Sequence, residues 1–180
     1  EIAKAIAGEL GDALGIDAAA KGVQVEQPTE DLAAYEDFLR GRQMFHQRGE
    51  GLAVDAAGSL FVVDSYRSNV RKVTPAGLVS TLATSVLYMP TGIAVDGQGN
   101  VYVADYGAIW KFPPDGAVQL FVGGGANGSA DGSGSLARVD APSGIALDAS
   151  GSLWVADTGN HTIRKVTPSR VVSTVGGRPG

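Results

Sequence analysis

The sequence predicts a mainly β protein: a partial β-propeller of about three four-stranded antiparallel blades behind an N-terminal α-helical segment. Three observations carry this. One phrase is written three times, as "GLAVDAAGSLFVVDSYRSNVRKV" from Gly51, "GIAVDGQGNVYVADYGAIWKF" from Gly92 and "GIALDASGSLWVADTGNHTIRKV" from Gly144. The starts lie 41 and 52 residues apart, and units of ~40 residues that need a neighbour to bury their apolar faces build solenoids and propellers. Each unit holds four short apolar runs parted by Gly, Pro and Asp, as in a four-stranded meander.

Residues 1–47 lack the repeat and show helical spacing instead. Ile2, Ile6, Leu10 and Leu14 fall four apart on one face of a first helix, which Gly8 and Gly11 weaken. A second helix opens at Thr29 as N-cap and places Glu30 and Asp31 in its first turn. Its apolar stripe is Leu32, Tyr35, Phe38, Leu39 and Phe45. Within it, "PTEDLAAYEDFLRGRQ" resembles the linker of bacterial TolB-like signalling proteins through Ala34, Tyr35, Phe38, Leu39, Arg40, Gly41 and Arg42. In those proteins the helix leads into tetratricopeptide repeats, so the resemblance implies a place in a larger signalling or sensor protein. An amphipathic packing helix is the plainer reading of the same residues.

Residues 48–180 divide into blades at about 48–85, 86–139 and 140–180. In the middle unit the strands are expected at 92–95, 100–104, 109–112 and 117–122, rich in Val, Ile and aromatics. The small Ala53, Ala94 and Ala146, midway along each first run, fit an innermost strand crowded near a propeller axis. The middle unit has a shorter loop after its second strand and lacks the Asn-His pair of the third.

The third unit is similar to bacterial NHL repeats through Pro142, Gly144, Asp148, Gly151, Trp154, Asp157, Asn160, His161, Ile163, Arg164 and Lys165. The first unit departs, with Gly49 where Pro90 and Pro142 stand. The resemblance implies a propeller, and propellers close at ~4–8 blades. Three blades therefore imply a stretch of a longer propeller, two copies meeting as three plus three, or an arc packed on the front helices. The first is favoured, because Glu1 and the final "GGRPG" read as cut ends.

Composition narrows the function classes. There is no cysteine, hence no disulfide or thiolate metal site, and the compartment stays open. No apolar run approaches the ~20 residues that span a bilayer. The net charge of −5 belongs to residues 1–50, since nine acids and nine bases balance from residue 51 onward. Arg71–Lys72, Lys111 and Arg164–Lys165 could face RNA, as in some NHL propellers, but an RNA-binding face wants clustered excess positive charge. The recurring Arg-Lys pair is expected to cap the polar side of each blade.

Six aspartates occupy two repeat positions: Asp55, Asp96 and Asp148 in one row, Asp64, Asp105 and Asp157 in the other. Both rows are expected to be structural, accepting backbone N–H bonds from the next loop in Asx turns. A calcium ring, as in related sugar-lactone hydrolases, is the alternative. It would need six or more converging oxygens, and no glutamate follows Glu50. His46 and His161 are too few for zinc. The G-x-G-x-x-G at Gly123, Gly125 and Gly128 precedes Ser, Asp and Gly rather than a helix, so it reads as a loop. No metal or cofactor is expected.

In a four-stranded meander the loops after strands two and four leave at the same end. That end offers Tyr66, Arg67, Tyr106, Asn160 and His161 from one loop set, with Tyr88 and Arg138 from the other. Aromatic and Arg side chains suit binding surfaces. The expectation is a non-catalytic module binding a protein, peptide or small ligand there, with a homo-oligomer as one route to a complete ring. The alternatives are a metal-dependent sugar-lactonase-like hydrolase or lyase, and a purely structural assembly module.

Overall fold

The structure, a computed structural model, describes residues 51–83 and 86–178. The two helices expected within 1–47 lie outside these residues. The described chain forms three antiparallel sheets. Blade one is β1 (Leu52–Val54), β2 (Leu60–Asp64), β3 (Asn69–Val73) and β4 (Val79–Ala83). Blade two is β5 (Ile93–Val95), β6 (Val101–Asp105), β7 (Ala108–Phe112) and β8 (Gln119–Gly123). Blade three is β10 (Pro142–Leu147), β11 (Leu153–Asp157), β12 (Thr162–Val166) and β13 (Val171–Gly177). A two-residue strand, β9 (Gly132–Ser133), pairs with β13 and makes the third sheet five-stranded. It lies in the glycine-rich stretch read above as loop, where neither side-chain alternation nor β-branched residues mark a strand.

The four long strands of each sheet run as a meander in chain order, and the same irregularity recurs in all three. The third and fourth strands slip register between Val70 and Arg71, between Ile109 and Trp110, and between Ile163 and Arg164. A bulge at a fixed place in every unit adds local twist to each sheet.

The blades pack face to face, and strand alternation decides which residues meet. Along β6, Val101 and Val103 point to blade one and, with Ile93 and Phe112 of their own blade, join its Phe61, Val63 and Val70. Tyr102 points the other way and, with Ile109, Phe121 and Val122 of its own blade, joins Leu153, Val155 and Val166 of blade three. All five residues of β6 are buried, so this strand reads as a continuous apolar run closed by Asp105. The Arg-Lys pairs obey the same two-residue period. Arg164 enters the interior, fully buried, while Lys165 lies over the Trp154 ring at 5.2 Å on the opposite face. The pair therefore splits across the sheet instead of capping one polar side.

The first strands of neighbouring blades lie side by side, and here glycine is required. A Cβ on Gly92 would stand 2.8 Å from the Ser143 carbonyl oxygen, and one on Gly51 would stand 2.7 Å from that of Thr91. Gly51 and Gly92, at the openings of their inner strands, thus set how closely the next blade approaches.

This packing predicts a contrast between two truncations. Val103→Ala, at the centre of the blade one–blade two contact, should lower unfolding free energy by about 2–3 kcal/mol. Leu78→Ala, in an exposed turn, should change it by less than ~0.5 kcal/mol. Urea denaturation followed by circular dichroism measures both, and equal losses would contradict face-to-face blade packing.

Candidate functional site

The two rows of aspartate do different work. Asp55 Oδ1 accepts the N–H groups of Ala57 and Ser59, Asp96 Oδ1 those of Gln98 and Asn100, and Asp148 Oδ1 those of Ser150 and Ser152. Each closes the turn from first strand to second. Gly99 takes φ +81° in this turn, a backbone shape that a side chain resists. An aromatic on the second strand completes two of the turns: Tyr102 Oη donates to Asp96 Oδ2 at 3.3 Å and Trp154 Nε1 to Asp148 Oδ2 at 3.0 Å. Burial, then the neighbouring Asp96 carboxylate, pushes the Tyr102 phenol up to about 12.

The titration of these turns has a definite sign. Burial raises the Asp55 and Asp96 carboxyls, but the hydrogen bonds they accept outweigh it and hold both below their ordinary 3.8. Asp148 is lowered further, by the Ser150 hydroxyl first and then by Trp154.

In the second row, the Asx-turn expectation fits Asp64, whose Oδ1 accepts the Arg67 N–H at 2.9 Å. Asp105 and Asp157 reach backwards instead, to the connector that leads into their own blade. Asp105 Oδ1 accepts Met89 N–H at 2.7 Å, and its carboxylate also accepts Tyr88 N–H and Tyr106 N–H. Asp157 Oδ1 accepts Asp140 N–H at 2.8 Å, while its Oδ2 takes Asn160 Nδ2 at 2.8 Å and Arg164 Nη1 at 2.7 Å. Arg164 continues the network to the Arg138 and Ala130 carbonyls and to Asp131, which also holds Thr174. A fully buried Arg–Asp pair stands at the centre of this connector contact.

These clamps build a rim at one end of the blades. Ser65 Oγ donates to the Pro90 carbonyl and Ser68 Oγ to that of Tyr88, so the β2–β3 turn sits on the first connector. The rings of Tyr88 and Tyr106 meet edge to face, centroids 5.9 Å apart. Ala141 N–H then donates to the Tyr106 carbonyl at 2.7 Å, tying the second connector to the middle blade. Tyr66 is 78% exposed and Tyr88 69%, with Met89 and Tyr106 also exposed. A run of aromatic surface therefore faces solvent on a backbone fixed from below.

The other residues expected at this end are placed differently. Asn160 is buried, its amide spent on Asp157 and the Gly128 carbonyl, so it serves the fold and presents nothing to solvent. Arg138 is half-buried and turns its Nη1 to the carbonyls of Ser135 and Ala137. His161 is exposed with φ +55°. Arg67 stays in the β2–β3 turn beside Tyr66. Met89 was not singled out in the sequence, although its place before Pro90, opposite Ala141 before Pro142, puts it in the repeat frame. Among the described residues no three His, Asp or Glu side chains come together as a metal site would need.

Comparison with known proteins agrees with this architecture. The NHL repeat family matches residues 87–108 and 140–166. The chain is 31% identical over 150 residues to NHL repeat-containing protein 2 of Bos taurus, spanning 77% of this chain and 20% of that protein. Among solved structures, a Bacteroides thetaiotaomicron protein of unknown function aligns with TM-score 0.61 and 23% identity over 72% of this chain and 36% of its own. A chain from the nidogen/laminin complex aligns with TM-score 0.58 and 22% identity, over 72% and 48%. Virginiamycin B lyase of Staphylococcus aureus aligns with TM-score 0.57 and 18% identity, over 69% and 40%. The described region is an array of NHL-repeat β-propeller blades, and the chain spans about a fifth of its mammalian relative.

Two predictions follow from the two rows. Asp157→Ala leaves Arg164 buried with the half-exposed Asp131 as its remaining carboxylate, and should cost ~2–4 kcal/mol in denaturant unfolding. Asp64→Ala removes one turn bond and should cost ~0.5–2 kcal/mol. Depressed carboxyls stabilise above their ordinary 3.8 and lose that contribution as pH falls through the folded values. The melting temperature should therefore hold from neutral pH to about 5 and drop below about 4, with a shallower drop in Asp148→Asn.

Proposed function

We propose that this array of NHL-repeat blades is a non-catalytic binding module, and that its loop rim takes a protein or peptide. The observation that carries the reading is the exposed Tyr66, Tyr88, Met89 and Tyr106 on one edge, with two of the rings in contact and their backbones clamped by Asp105. Tyrosine offers a large, rigid contact with a polar tip, and methionine adapts to irregular apolar partners. A fixed backbone beneath them lowers the ordering cost of binding. One chain of like fold comes from a complex of nidogen with laminin, in keeping with protein contact by such blades. The linker resemblance at residues 34–42 favours a place within a bacterial signalling or sensor protein.

Selection of a random peptide library on the immobilised chain tests this. Bound peptides are then titrated by fluorescence anisotropy against wild type, Tyr88→Ala and Tyr106→Ala. Loss of an aromatic anchor worth ~2 kcal/mol weakens binding ~30-fold, and that is the expected result for at least one of the two. Peptides that bind both variants as tightly as wild type, but lose affinity on changes at the opposite blade end around Asp115, would overturn the reading.

A further inference from the structure

The chain holds four asparagines, and sequence and fold together set one of them apart. Asn69, Asn100 and Asn160 are buried and are followed by Val, Val and His. Asn127 is exposed in the connector between β8 and β10, and Gly128 follows it. The Gly128 N–H makes no hydrogen bond among the described residues. Glycine also carries no Cβ to shield that nitrogen or to restrict its backbone. A side-chain amide, solvent and an unengaged backbone N–H thus meet at this asparagine.

We propose that Asn127 is a site of spontaneous deamidation. The Gly128 nitrogen attacks Asn127 Cγ, its proton leaves with Nδ2 as ammonia, and a succinimide ring closes. Solvent water then opens the ring at either carbonyl. Opening at Cγ gives aspartate, and opening at the main-chain carbonyl gives isoaspartate, in which the backbone runs through the side chain. Ammonia is lost and water is gained, with no change of oxidation state.

The new carboxylate falls on a structural contact. Asn127 Nδ2 donates to Asp140 Oδ1 at 2.6 Å, and Asn127 Oδ1 lies against Gly107, where a Cβ would stand 2.9 Å away. Gly107 follows Tyr106 of the rim, and Asp140 is the residue whose N–H the Asp157 clamp holds. The Asp140 carbonyl also accepts the Gly159 N–H, and Ala141 after it donates to Tyr106. Deamidation exchanges the donor on Asp140 for a second negative oxygen, and two like charges at that spacing repel. The reaction therefore loosens the second connector where it is tied to both neighbouring blades, and it needs no ligand at the rim.

Each asparagine falls in its own tryptic peptide, Asn127 in 112–138. The full chain is held in mildly alkaline buffer, digested at intervals and read by mass spectrometry. Peptide 112–138 should convert from amide to carboxylate while the other three stay unchanged. Gly128→Ala, whose Cβ would meet Arg138 at an ordinary 3.5 Å, should slow the conversion several-fold. An Asn127 that keeps its amide in the folded chain but loses it in guanidinium, or that converts no faster than Asn100, overturns the proposal. Hydrogen exchange reads the consequence. The amides of Asp140 and Ala141 should exchange several-fold faster in Asn127→Asp than in Asn127→Ala, and the difference should shrink at high salt. Equal rates in the two variants overturn the coupling to Asp140.

Discussion

The architecture depends on a carboxylate at the end of the second strand in blades two and three. Apolar packing between the faces supplies most of the driving force, but it is non-directional and would tolerate a connector crossing at several heights. Asp105 and Asp157 remove that freedom by accepting N–H bonds from the connector 17 residues upstream, to Tyr88 in one blade and to Asp140 in the next. Each connector is then pinned to the blade it enters, and so is the loop end above it. The exposed tyrosines inherit their positions from this clamp.

Blade three shows how the clamp is reinforced where the connector is long. Its 18 residues between β8 and β10 contain Gly124, Gly125, Gly128, Gly132 and Gly134 and would be costly to order alone. Arg164 holds the stretch through the Ala130 and Arg138 carbonyls and Asp131, and β9 adds a short pairing to β13. The buried ion pair fixes one arrangement of this loop in addition to any stability it adds. In the middle blade, Trp110 takes the place of Arg164 and the connector is short, so the Asp105 carboxylate serves alone.

Much of this was legible in the sequence, for physical reasons. The repeat period and the turn residues locate the blades, and in the middle blade the observed strands fall within two residues of those expected, because alternation and Asx turns are local signals. The row of Asp55, Asp96 and Asp148 is local in the same sense. The row of Asp105 and Asp157 is not: the same residue type at a strand end serves a forward turn or a backward clamp equally well. Only the recurrence of a 17-residue spacing distinguishes them, and it shows once donors are known. Arg164 was similarly ambiguous, since an Arg-Lys pair in a strand reads as polar until the two-residue period sends Arg inward. Asn160 carries a loop signature yet is consumed by its neighbours, which no local pattern reveals.

Hydrogen exchange of the wild-type chain, resolved to single amides, tests the clamp most directly. If Asp105 and Asp157 hold the connectors, the amides of Tyr88, Met89 and Asp140 exchange as slowly as those of the β6 and β11 strands, because they open only when the blade opens. If those three amides exchange as fast as the exposed turn amides of Ala56 and Gly97, the connectors are not pinned and the account of the rim fails.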